Sequence, residues 1–249
     1  LPSQELISIL AEMAGALAVT LLLGLSPRLN SVPPVGFKYP QREVKFALYI
    51  VTAALVINYL LFRFGVNWLP TMISDKDGNA FTLLLTAALA TVIIVVIALR
   101  ARGQPSRSTG WQKALTRPAI QFGLSLVILT LFLRGKFLTV LGGIPQDALR
   151  MLVILLLIAL AEETIFRGYV QMRFMAKFGR YGGWAIASIV YVLWRLPFLM
   201  YFGFQDSLLY FQIAILGLKS FLLGWIMIRS RHALVPALYH AFSMWIAYL

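Results

Sequence analysis

Two adjacent glutamates and an arginine, Glu162, Glu163 and Arg167, close an apolar run that reads "RMLVILLLIAL". A carboxylate can take up a proton or hold a water. A guanidinium can only fix an anion, because it keeps its charge at any working pH. On a helix Glu163 and Arg167 stand at i, i+4 with the acid first, so they share a face and can pair. Glu162 is turned by about 100° from its neighbour and needs a partner from another helix. Two places offer one. Arg195 stands inside "VYVLWRLPFLM", two residues before Pro197. That proline removes an amide donor and frees the carbonyl of Leu193, the kind of loosening found where a helix lines a cavity. His240 follows Pro236 by four residues in "ALVPALYHAFSMWI". Its ring suits acid–base work or ligation, and in an apolar helix it equally suits packing.

The elements that position these groups are spelled out by composition. Of 249 residues, 60% are hydrophobic and only 12% charged, and the mean hydropathy is +0.83. A soluble domain has about 25% charged residues, so the expected fold class is an all-α integral membrane protein. No cysteine is present, which excludes disulfides, thiol nucleophiles and thiolate metal sites. The chain opens on leucine without a signal peptide, which suggests a natural start further upstream. A spanning helix needs about 20 mostly apolar residues. Eight candidate spans answer to this, at 5–25, 44–69, 80–99, 118–141, 148–176, 182–202, 206–228 and 233–249, forming a single transmembrane domain over 1–249. The fifth is too long for one span, so its basic end, "QMRFMAKFGR", is expected to protrude.

The formal net charge of +13 invites a nucleic-acid reading, and its placement argues against one. Fourteen Lys and Arg fall in the first, third, fifth and seventh connections, against four in the others. The positive-inside rule then puts the basic connections in the cytoplasm and both termini on the non-cytoplasmic side of a multi-pass protein. The partner this implies is the lipid bilayer, and "RARGQPSRSTGWQK" suits contact with anionic headgroups as well as setting topology. Within the spans, each ionisable residue costs about 2.5–3.5 kcal/mol to insert. Arg63 can snorkel to the outer interface. Glu12, Glu162 and Glu163 then face Arg167, Arg195 and Lys219, a balance that suggests one internal polar cluster in which Lys219 neutralises Glu12.

The three places described above, in this order, resemble the CPBP (Abi) group of intramembrane endopeptidases, which includes the CAAX prenyl proteases. The first motif of that family, EExxxR, is matched by Glu162, Glu163 and Arg167. The second is FxxxH in a setting like "LWHLP", and the third is HxxxN or HxxxD on the last core helix. The run "GLKSFLLGWIMIRSRHALVPALYHAF" is also similar, with Gly217 and Gly224 in place. The resemblance covers 148–249, and 1–147 matches only in being helical. It implies a CAAX-protease-like bundle in which the fifth, sixth and eighth helices surround a polar cavity open to the cytoplasmic half. It makes Glu162 the water-activating base, His240 an oxyanion donor, and Glu163 with Arg167 a clamp. No cofactor is implied. Whether a divalent metal takes part is left open, with Glu162 and His240 as its ligands if it does.

Two motifs depart from the pattern. Tyr191 stands for the phenylalanine and Arg195 for the histidine of the second, and Met244 stands where the third expects Asn or Asp. Arg195 neither accepts a proton nor ligates a metal, but it can bind a carboxylate. Met244 gives an oxyanion no donor. A missing oxyanion donor costs about 10²–10³ in rate, and a missing acid–base partner about 10²–10⁴. His232, eight residues before His240 and about 12 Å away along a helix, is a poor substitute.

Three functions follow. One is a catalytically impaired relative that serves as a membrane binding or accessory subunit for a membrane-protein partner, peptide tail or lipid. Another is an active endopeptidase that cuts a membrane-proximal peptide. The third is a transporter or channel, which needs a continuous polar path. The first predicts an Arg195–Glu162 ion pair; the second predicts open space at Glu162.

Overall fold

The computed structural model describes residues 3–30, 32, 35–65, 76–201 and 206–249, and the regular structure among them is all helical, with no strand. Its α-helices run α1 Ser3–Leu23, α2 Pro27–Asn30, α3 Pro40–Phe64, α4 Lys76–Ala101, α5 Thr116–Leu133, α6 Phe137–Leu141, α7 Gln146–Glu162, α8 Met172–Tyr201, α9 Asp206–Ser230 and α10 Leu234–Trp245. A π-helical segment, Glu163–Gln171, joins α7 to α8 without a break. Five helices, α1, α3, α4, α5 and α9, are long and apolar enough to cross a membrane by length and composition. The other three predicted spans are interrupted or short, and they hold the charged motifs.

Two boundaries differ from the sequence reading. The predicted fourth span at 118–141 is instead α5 and a separate short α6, because the chain turns at Gly135 with φ +66°. The predicted eighth ends as a helix at Trp245, with one 3₁₀ turn after it. The ends expected at 69 and 202 lie outside the described residues.

The long fifth helix is present as α7, the π segment and the first turns of α8. Its end is set by Gly179, whose φ 77° and ψ 169° are open to glycine and strained for any other residue. The chain there folds back into the second leg of α8, so one hairpin carries Glu162, Glu163, Arg167 and Arg195. The predicted protrusion is only half right. Phe178 and Tyr181 are exposed, but Gln171, Arg173 and Phe174 are buried.

α10 packs between α5 and α7, α3 against both α4 and α8, and α1 against α5 and α9. The core runs along α3, α4, α7, the π segment and α8. Apolar side chains also cover the outside: Ile120, Leu124 and Ile128 recur at four-residue spacing on α5, and Leu89, Ile93 and Ile97 on α4. Unpartnered apolar faces of this extent are costly in water and natural in lipid. The protein is an integral membrane protein.

At one end, hydrogen bonds tie the basic connections together. Arg231 donates to the Val32 carbonyl at 2.6 Å, Gln112 to the Arg231 carbonyl at 3.2 Å, and the Ala233 amide to the Gly110 carbonyl at 3.0 Å. Arg173 reaches the Ser108 carbonyl at 3.1 Å.

Candidate active site

The sequence motifs meet in one buried cluster. Glu162 is the last residue of α7 and Glu163 the first of the π segment, and neither has exposed surface. The π segment is buried at every position except Thr164. Its hydrogen bonds run i to i+5, a wider turn that recurs at functional sites. Glu163 keeps the expected pair, with Arg167 Nε 3.3 Å from Oε2. The guanidinium is further fixed by Nη2 donating to Ser220 Oγ on α9 at 2.9 Å. It also lies 4.9 Å from the centre of the Tyr191 ring. The other oxygen of Glu163 takes His240 Nδ1 at 3.0 Å. A carboxylate only accepts, so Nδ1 carries the proton, an assignment that rests on its partner.

Glu162 does find its partner across the hairpin. Arg195 Nε lies 3.2 Å from Oε1, and the Tyr191 hydroxyl donates to Oε2 at 2.7 Å. The single N–H of Arg195 Nε points to the Tyr191 hydroxyl at 3.0 Å. The guanidinium therefore meets Glu162 as a charge contact and is hydrogen-bonded through the tyrosine, not bidentate. At its far side Arg195 Nη2 lies 3.3 Å from Met244 Sδ, a weak acceptor. Of the three positions that depart from the motifs, Arg195 thus touches both of the others. His240 Nε2 is 3.4 Å from the same tyrosine hydroxyl, whose one proton Glu162 already takes. Two carboxylates and two guanidiniums balance, so the cluster is neutral with a neutral His240.

Residues 144–246 match the family model described as type II CAAX prenyl endopeptidase Rce1-like. Over these residues the chain is similar to the CAAX prenyl endopeptidases, as its motifs suggest. No curated protein and no solved structure matches the chain.

The matched segment spans α7 to α10 and contains every residue of the cluster. Its expected access from the basic half is closed in this conformation: Arg195 is 4% and His240 5% exposed, and both glutamates 0%. A divalent metal at Glu162 and His240 does not fit. Glu162 Oε2 accepts from Tyr191, and the Arg195 guanidinium, 3.2 Å from Oε1, holds the ground where a cation would have to approach. Among the described residues no group of three or more His, Asp or Glu could hold a metal ion.

Other expectations need correcting. The deep charges fall into more than one group, and Lys219 shares the charge of Glu12 with Arg134. Glu12 is paired with Arg134, Nε to Oε2 3.7 Å, and Lys219 donates to Ser243 Oγ at 2.9 Å. Arg134 ends α5 and returns to α1, where Nη1 also bonds Ser8 Oγ at 3.0 Å. A third buried set, unseen in the sequence, joins Glu43 to Arg102 and to Arg173, whose Nε lies 3.1 Å from Oε2. His232 is no substitute for the missing ring. Its Nδ1 accepts the Leu234 amide at 3.1 Å and so caps the start of α10.

The role of the Tyr191 hydroxyl was also missed. Its one signal is the i, i+4 spacing to Arg195. Ser220 gave no signal, since a serine among apolar residues on a helix has many uses.

Proposed function

We propose that this protein is a CAAX-endopeptidase relative whose hydrolytic centre is silent, and that it serves as a membrane binding or accessory subunit. The observation that carries this reading is the seat of Glu162. Its would-be basic oxygens are held by a permanent cation and a phenol, and the one ring nearby, His240, has its Nδ1 3.7 Å from Glu162 Oε2 but bonded to Glu163 at 3.0 Å. Met244 turns its sulfur to Arg195 and offers no donor to an oxyanion. The combined loss expected from these two defects is about 10⁴ or more. The ligand is a membrane-protein partner, a peptide tail or a lipid. In this reading the basic end faces the cytoplasm and both termini the other side.

The test is cleavage of a prenylated, C-terminal CAAX-type peptide by the full chain in liposomes. The wild type is expected to show no turnover that depends on Glu162. The triple variant Tyr191→Phe, Arg195→His, Met244→Asn restores both motifs at once and is expected to gain slow cleavage, abolished again by Glu162→Gln. Wild-type cleavage lost on Glu162→Gln would instead establish an active endopeptidase. Orientation is read separately in this cysteine-free chain. A lone cysteine at exposed Ser106 should be shielded from an impermeant thiol reagent added outside intact cells, and one at Asp147 should react. The reverse pattern would invert the topology.

A further inference from the structure

We propose that the basic end of the bundle holds a binding site for the phosphate group of an amphiphile, seated on Arg42, Arg102, Arg107 and Lys113. These residues line one cavity of about 740 Å³ between the start of α3 and the connection from α4 to α5, a volume typical of small-ligand pockets. Lys38 lines it too. The one acid on its wall, Glu43, is already consumed. Arg102 and Arg173 pair with it, and Gln104 Nε2 donates to it at 2.9 Å. The positive charge of the remaining wall is therefore uncompensated from within. Among the described residues Arg42, Arg107 and Lys113 make no ion pair. Arg102 Nη1 is buried and donates to nothing, which is costly unless an acceptor arrives. Several cations converging on one pocket exceed what a single carboxylate can satisfy and suit the charge and acceptor-rich surface of a phosphate.

The neighbouring cavity says what carries the phosphate. It measures about 370 Å³, shares Val35 and Gln112 with the first, and is lined by Met172, Met175, Met227 and Ile228 and by Gln171, Arg180 and Arg231 as well. Flexible thioethers adapt to an acyl chain. A charged head in the first cavity and a tail laid along the methionines of the second match these linings. Most of the phosphate seat lies before residue 144, outside the matched segment, so the site is independent of the silent centre.

Full-length protein in neutral detergent is titrated with dioctanoyl phosphatidic acid, dioctanoyl phosphatidylcholine and inorganic phosphate, with binding read from tryptophan fluorescence. Phosphatidic acid should saturate and be displaced by inorganic phosphate, and phosphatidylcholine should bind more weakly. The variant Arg107→Ala/Lys113→Ala should lose roughly ten- to thirtyfold in affinity. The charge-matched control Arg100→Ala/Arg117→Ala, away from the cavity, should stay within about twofold. Monodisperse elution of both variants shows that they fold. Inorganic phosphate binding as tightly as the lipid, with the same loss in the pocket variant, keeps the phosphate seat and makes free phosphate its source. Equal affinity of the pocket and control variants, or no saturable binding of either phosphate, overturns the proposal.

Discussion

Arg195 brings a permanent charge to a place where the related motif carries a ring that can give up its proton, and its neighbours have been fitted to that charge. Tyr191 supplies the hydroxyl that links the guanidinium to Glu162, and Met244 supplies a soft surface for its far nitrogen. A phenylalanine at 191 would remove the hydroxyl that bridges Nε and Glu162 Oε2, and an unmet buried polar group costs about 1–3 kcal/mol. The three departures are therefore one unit. Single-residue reading found Arg195 and Met244, because each lacks a chemical ability. It missed what joins them, because a tyrosine hydroxyl has no meaning until its partners are placed. His232 shows the same limit. Its ring nitrogen caps α10 only while unprotonated, and burial lowers its pKa from 6.5 to about 4. The folded state thus resists a proton that the unfolded chain accepts. The contribution of His232 is fully present above pH 6.5 and is lost as the pH falls from there toward 4. Unfolding in detergent should show about 1–2 kcal/mol less stability at pH 5 than at pH 7.5. His232→Gln should remove most of that difference. An unchanged pH dependence in the variant would mean that another group is responsible.

At the scale of elements, the joined rod of α7, π segment and α8 was legible in outline. An apolar run too long for one span had to include a section that was not lipid-facing. The π geometry was not legible, since side-chain spacing that fits i, i+4 pairing fits either turn. Its burial comes from α8 and the neighbouring helices together with the connection between α4 and α5, which folds over it. Trp111 Nε1 donates to Thr164 Oγ1 at 3.0 Å, and Gly168 lies flat against the Thr109 carbonyl, where a Cβ would overlap backbone. Backbone cannot retreat as a side-chain end can. Gly168→Ala should therefore cost about 1–3 kcal/mol, seen as a lower unfolding midpoint. Gly217→Ala on α9, with open space around the added carbon, should be neutral or stabilising by about 0.5–1 kcal/mol. Equal midpoints for the two variants would mean that the loop does not press on the π segment.

At the scale of the whole molecule, the alternation of basic and less basic connections forecast a bundle with one cationic end. Hydrogen bonds among residues 32, 108–112, 173 and 231–233 gather those connections at one place. Charge counting treated Arg173 and Arg134 as topology markers. Each is instead a structural cation whose carboxylate comes from far along the chain, Glu43 for one and Glu12 for the other. Partners separated by more than a hundred residues leave no trace in local pattern. The same holds for the closed site: the sequence allowed either open space or an ion pair at Glu162, and packing across the hairpin decided it.

The contact between Arg195 and Glu162 closes the site, and a double-mutant cycle measures it. Arg195→Met, Glu162→Gln and the double variant are unfolded in the same detergent as the wild type. Each single change strands a buried charge and should cost about 3–5 kcal/mol. The double variant should recover about 2 kcal/mol or more of the summed loss. Losses that simply add, to within about 0.5 kcal/mol, would mean that the two groups are not coupled. Glu162 would then be free of its cation, and the hydrolytic centre would not be silenced in the way described.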